Sequence, residues 1–245
     1  MPLHLRRFHT KRHTRLGDVA EVGTGSTPLR SRSEYYASEG VPWVTSAATG
    51  APFVFSAREF VTPIAVSEHR LKVYPSGTLL VAMYGEGKTR GQVTELAIDA
   101  TINQACAAIK VDESQALRIY VKFALQANYL EMRALAEGGN QPNLNLSKIR
   151  DVRLGLPCMD EQREIVQLLS KAVEAIQRVH GETCDGFEKA RMIESVVLRK
   201  AFRGELVPQD PTDEPASVLL ERIRAERAAT GPSRRTRTKK LTSAT

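Results

Sequence analysis

The chain has 245 residues, 42% apolar and 26% charged, proportions of a folded soluble protein that exclude wholesale disorder. Its longest apolar run, Leu79 to Tyr84, is too short to cross a bilayer, and the basic N-terminus leads into no apolar signal-like core. A cytoplasmic location with no membrane partner is therefore expected. The formal charge of +7 sits at the ends, because residues 1–15 and 231–245 each carry five Lys or Arg and no acid. The stretch between them holds 25 basic and 28 acidic side chains, so the body is nearly balanced. Basic ends touch phosphate backbones or simply stay solvated, and charge alone does not choose. Three widely spaced cysteines, Cys106, Cys158 and Cys184, form no CxxC pair, which points to a reducing compartment and to neither a disulfide frame nor a zinc knuckle.

In chain order, residues 1–15 read as a basic arm. Residues 16–110 read as short strands cut by turn signals at Ser26-Thr27-Pro28, Ser38-Glu39-Gly40, Gly50-Ala51-Pro52, Pro63, Pro75 and Gly77. Phe53-Val54-Phe55 and Leu79 to Tyr84 are the clearest β-type runs. From Gln115 the period changes. Leu117, Tyr120, Val121, Ala124, Leu125, Ala127, Leu130 and Leu135 recur at helical spacing up to a stop at Gly138-Gly139. A polar link, residues 140–146, leads to a closing strand within Val152–Pro157. Residues 16–158 thus form an α+β or α/β domain.

Past Pro157, with Asp160 as a cap, Ile165, Leu169, Ala172, Ile176, Val179, Ala190, Ile193 and Val197 fall three and four apart. No proline occurs from residue 158 to residue 207, so residues 159–207 read as one long helix, with Thr183 and Gly186 marking a possible kink. Such a stripe is the seam of a coiled coil, and no equal helix precedes it. The seam wants a second protein. A link and short helix follow over 208–230, opened by Thr212-Asp213-Glu214-Pro215 and closed by Gly231-Pro232, and residues 231–245 are expected to be a disordered basic tail.

Motifs for catalysis are incomplete. Ala82 to Thr89 matches the phosphate-loop pattern GxxxxGK[ST] except at its first glycine, where Ala82 stands, and no apolar run ending in aspartate follows. Glu86-Gly87-Lys88 has the Glu-x-Lys form of metal-dependent nucleases, but only Asp18 lies upstream as a companion carboxylate. The five histidines show no ligand spacing, and Ser26 lacks the second glycine of a nucleophile elbow. The chain reads as non-catalytic, with no metal site and no cofactor of its own. What remains are polar groups on turns: Arg30 and Arg32, Thr45 and Ser46, and Lys88, Thr89 and Arg90. Arg and Lys can donate to guanine N7 and O6 in the major groove, so these seven are the candidate DNA contacts.

The order of segments resembles the specificity subunit of type I restriction–modification enzymes. The resemblance is carried by Leu16-Gly17-Asp18-Val19-Ala20-Glu21-Val22 with Gly25-Ser26-Thr27-Pro28, by Tyr35-Tyr36 with Gly40-Val41-Pro42-Trp43, and by Gly77-Thr78-Leu79-Leu80-Val81. Asn103-Gln104, Gln141-Pro142-Asn143-Leu144-Asn145 and Glu161-Gln162-Arg163-Glu164-Ile165-Val166 continue it. Lys200-Ala201-Phe202-Arg203-Gly204-Glu205-Leu206-Val207-Pro208 and Pro215 to Ile223 complete it. It implies a target-recognition domain reading one half of a split double-stranded DNA sequence, followed by a conserved helix on which methyltransferase subunits dock. It also implies a restriction subunit with an ATP-driven motor, so S-adenosylmethionine, ATP and Mg belong to partner subunits. The usual member has two domains and two helices. One of each here implies a half-length subunit that pairs head to tail with a second copy or with another half-subunit. The alternative is a free-standing DNA-binding protein, a repressor or anti-restriction decoy.

Overall fold

The computed structural model describes residues 12–85, 87–136, 143–208 and 212–230. The expected tail at 231–245, most of the N-terminal arm, Glu86 and Gly138-Gly139 lie outside them. The elements run β1 (Arg12–Arg15), α1 (Leu16–Val19), β2 (Ala20–Thr24), β3 (Tyr36–Ala37), β4 (Val41–Val44), β5 (Phe53–Val54) and β6 (Glu59–Val61). Then come α2 (Pro63–Glu68), β7 (Leu79–Ala82), β8 (Val93–Leu96), β9 (Thr101–Ile102), β10 (Cys106–Val111), α3 (Arg118–Ala127), α4 (Tyr129–Ala136) and α5 (Leu146–Arg150). Finally come β11 (Arg153–Leu156), α6 (Met159–Phe202) and α7 (Ala216–Thr230).

Three sheets result. Five strands are ordered β2-β10-β7-β8-β5, four are ordered β3-β6-β4-β9, and β1 pairs with β11. Every pairing is antiparallel except β5 with β8 and β4 with β9. This is the α+β form of the expected class. The two-residue side-chain period of a strand explains why the five-stranded sheet sits inside the domain. Leu79, Val81, Ala107 and Ile109 point into one core with Leu16, Val121, Leu125, Met132 and Ile149. The alternate residues Leu80, Cys106 and Ala108 enter a second core with Val44, Tyr74 and Ile102. A third, smaller core joins Tyr35, Trp43, Val61, Ala65 and Leu71 under the four-stranded sheet.

Two expectations change. Residues 12–15 are a strand rather than part of a free arm, since Arg12 to Arg15 pair in register with Leu156 to Arg153. Alternation of type was hidden there by four polar side chains. The helical stretch after Gln115 is two helices, α3 and α4, parted at Asn128, whose side chain donates to the Arg153 carbonyl at 3.2 Å. The break lets α3 pack on β8 and β11 while α4 turns Met132 and Ala136 into the first core.

Helix α6 is unbroken over 44 residues, about 66 Å at the standard rise, so Thr183 and Gly186 do not interrupt it. The Thr183 hydroxyl donates to the Val179 carbonyl one turn earlier at 2.7 Å, which satisfies the hydroxyl within the helix. The compact units divide within this helix, at Ala175 and Ile176. In the first unit, Gln162 is fully buried. Its Nε2 donates to the Pro157 carbonyl at 2.9 Å and its Oε1 accepts from the Leu117 amide at 2.8 Å. One side chain thereby satisfies both the exit of β11 and the free amide at the start of α3. In the second unit, the predicted seam residues are exposed, Ile176 at 68% and Ile193 at 64%. No described helix is long and apolar enough to cross a membrane.

Candidate nucleic-acid interface

Connections at one end of the five-stranded sheet converge. The β7–β8 hairpin begins at Met83, whose amide donates to the Ala105 carbonyl at 2.8 Å, so the hairpin lies against the β9–β10 turn that carries Asn103 and Gln104. The Asn103 amide in turn donates to the Val44 carbonyl at 3.0 Å, which brings the exit of β4, with Thr45 and Ser46, to the same end. The Thr27 hydroxyl donates to Gln104 Oε1 and adds the segment after β2. Gly25 allows that approach. A Cβ there would fall 1.7 Å from the Ile102 carbonyl oxygen, closer than any contact permits.

Thr45 and Ser46 start a short 3-10 turn, Ser46–Gly50, in which the Thr49 hydroxyl donates to the Ser46 carbonyl at 2.7 Å and lies 3.4 Å from Gln92 Oε1. Gln92 closes the hairpin that carries Lys88, Thr89 and Arg90, and its amide donates to the Thr89 carbonyl at 3.0 Å. Two of the three predicted groups are thus brought together. Lys88 is exposed, and Thr89 and Arg90 are half-buried.

The third group is held differently. Arg30 pairs with both carboxylate oxygens of Glu59 and stacks 4.6 Å from the Tyr36 ring centre and 5.0 Å from that of Trp43. That hydrogen bond holds the Glu59 carboxyl below the ordinary carboxylate range, against the opposing effect of burial. Arg32 bonds Glu34 at 2.6 and 2.8 Å and lies 3.6 Å from Glu68, over the Tyr35 ring. The structure gives both guanidiniums protein partners and fixes the loop that bears them.

Several residues at this end are not among the seven candidate contacts. Thr27, Asn103 and Gln104 belong to it through the contacts above. An Asn-Gln pair on a two-strand turn is the signal that could have found the last two, since amides suit adenine. Beneath the sheet, Lys122 and Glu95 make a buried ion pair at 3.2 Å, with Lys122 Nζ also donating to the Pro52 carbonyl at 2.7 Å and lying over Phe53. Arg118 reaches the other Glu95 oxygen at 3.0 Å. Desolvation holds the Lys122 ammonium below its ordinary range, with Glu95 acting the other way. This cluster ties α3 to β8 and to the entry of β5. Among the described residues no group of three or more His, Cys, Asp and Glu is placed to hold a metal ion.

Residues 10–182 match the model of the type I restriction modification DNA specificity domain, and the chain belongs to that family. Among curated relatives it is 23% identical over 158 residues to the EcoR124I/EcoR124II specificity subunit of Escherichia coli, covering 64% of this chain and 39% of that one. A shorter match to the EcoAI specificity subunit of Escherichia coli is 58% identical over 43 residues, 18% of this chain and 7% of that one. The HsdS subunit from Thermoanaerobacter tengcongensis superposes with a TM-score of 0.60 at 20% identity, over 84% of this chain and 48% of that chain. A chain of a type I R-M system reaches a TM-score of 0.67 at 22% identity, over 84% and 49%. At these identities the structures share the fold. The chain spans about two-fifths of the EcoR124I/EcoR124II and StySPI specificity subunits, 39% and 40%.

Proposed function

We propose that this chain is a non-catalytic specificity component of a type I restriction–modification complex, reading one half of a bipartite double-stranded DNA target. The observation that supports this most is the convergence of four polar connections at one end of the sheet, in a domain whose family model spans residues 10–182. The domain, 16–158 by sequence and extended to residue 12 by β1, presents Thr45, Ser46, Lys88, Thr89 and Arg90 to the major groove, whose base edges differ for all four pairs. Arg30 and Arg32 hold the loop beside them and reach DNA only by giving up carboxylate partners. Methyltransferase subunits carrying S-adenosylmethionine methylate adenine, and a restriction subunit using ATP and Mg cleaves. The work is cytoplasmic.

The long helix, expected over 159–207 and formed over Met159–Phe202, supplies the spacing through a second copy. Antiparallel pairing centred on residue 181 sets Ile165 against Val197, Leu169 against Ile193, Ala172 against Ala190, Ile176 against Gly186 and Val179 against Thr183. Every layer then sets a seam position of one helix against a seam position of the other, as knobs-into-holes packing requires. The same register places exposed Leu168 beside Val196 on one flank and Val173 beside Phe187 on the other. Two domains held at one separation then act together on one DNA.

The test is genome-wide adenine methylation after co-expression with the methyltransferase subunit in a host that lacks methylation. A split palindromic motif is the expected result. A split asymmetric motif replaces the second copy with a different half-subunit. No motif, with an active partner subunit, overturns the proposal in favour of a free-standing DNA binder.

A further inference from the structure

Helix α4 grips the β7–β8 hairpin from behind. The Tyr129 hydroxyl donates to the Lys88 carbonyl at 2.8 Å. Arg133 Nη1 donates to the carbonyls of Gly87 at 2.7 Å and Arg90 at 3.2 Å, and lies 3.3 Å from the Tyr129 hydroxyl. The guanidinium sits 5.5 Å from the Tyr129 ring centre. Three backbone carbonyls of one short tip are therefore held by two side chains one helical turn apart.

The tip needs such a hold. Gly85, Gly87 and Gly91 take φ values of 130°, 59° and 84°, a region open to glycine at little steric cost, so the backbone has many alternatives. Among the described residues its backbone bonds gather at the base of the hairpin: the Ala82 amide donates to the Gln92 carbonyl at 3.0 Å, the Gly91 amide to the Ala82 carbonyl at 2.9 Å and the Gln92 amide to the Thr89 carbonyl at 3.0 Å. The helix that holds it is itself fixed, since Met132 is fully buried and Ala136 nearly so. Gly91 is packed close to the same two side chains, with Arg133 Cγ and Tyr129 Cδ2 each 3.4 Å from where a Cβ would stand.

We propose that Tyr129 and Arg133 are positioning residues for base discrimination. They fix the direction of Lys88, Thr89 and Arg90 without touching bases, and a loosened tip accepts more than one base pair. Base contacts discriminate only when donors are held in place, since a mobile donor follows the acceptor it meets. The inference rests on the reading that this hairpin faces DNA.

The test uses the full chain with its methyltransferase subunit and the variants Arg133→Ala, Arg133→Lys, Tyr129→Phe and Lys88→Ala. Hydrogen exchange at the Gly91 and Gln92 amides reads the hold directly. Arg133→Ala is expected to speed it about tenfold, the worth of one hydrogen bond, and Arg133→Lys to restore part of the protection. Methylation of a library of single-base target variants reads discrimination. Arg133→Ala and Tyr129→Phe are expected to relax the same base positions that Lys88→Ala relaxes and to leave the others unchanged. Unchanged exchange overturns the hold. A uniform loss of methylation at every position overturns the positioning role. Faster exchange with no change of base preference in Arg133→Ala or Lys88→Ala removes the hairpin from the DNA face, and with it the reading on which the inference rests.

Discussion

The sheet domain and the helical segment beyond Ala175 solve the same problem in opposite ways. The domain buries Leu16, Leu79, Leu80, Ile109 and Leu125 completely, in cores on both faces of one sheet. The helical segment carries Ile176, Val179, Phe187, Ile193 and Val197 with all of them exposed. A domain that hides its own apolar surface is stable alone, whereas a helix gains most of its stability from what packs on its apolar face. The difference teaches where each kind of substitution should act. Changes in the domain should be felt by unfolding, and changes along the helix by assembly.

The largest effect on that contrast is expected inside the domain, at Lys122. Lys122→Ala leaves Glu95 buried with only Arg118 beside it and should lower stability by about 3 kcal/mol. Pairing Lys122→Met with Glu95→Leu should recover most of this, because Arg118 retains Glu113 at 3.0 Å. Denaturant unfolding of both variants measures the coupling. Gly25→Ala, which drives a methyl into the Ile102 carbonyl, should cost about 3 kcal/mol or less as the backbone gives way. The same unfolding curve, with its slope unchanged, would check it.

Gln162→Ala comes next. It strips partners from the Pro157 carbonyl and the Leu117 amide and should cost about 2 kcal/mol. An unchanged midpoint would show that water replaces the glutamine. Smallest for the domain is Ile176→Asp with Ile193→Asp, expected to move its unfolding by less than about 0.5 kcal/mol because both sites are exposed. Sedimentation of the same variant is expected nonetheless to show loss of the proposed helix pairing. An unchanged oligomeric mass would remove the seam as the interface.

Much of this was legible in the chain. Leu79 to Ala82 announces a strand buried on both faces because all four residues are apolar, and the three-four stripe from Ile165 to Val197 announces a long helix. Arg12 to Arg15 could not be read, because nothing in four polar residues names the partner strand more than a hundred residues later. Lys122 looks like a solvated helix residue until folding sets Glu95 beside it. Of the proposed DNA contacts, Thr45 with Ser46 and Lys88 with Thr89 and Arg90 stand out in the sequence as polar turn residues. Their neighbours Thr27 and Gln104 and their supports Tyr129 and Arg133 do not, since what gathers them is carbonyl and amide geometry between distant loops. Local pattern names an element; long-range register names its company.

The pairing of β1 with β11 has a consequence for how this domain can be exchanged. Arg12 stands opposite Leu156, so the chain enters and leaves the domain at one place. Everything between those two residues is a cartridge with a single socket. Under the proposed function, grafting the segment from a relative, cut at that pair, is expected to change the bases read while keeping α6 as it was.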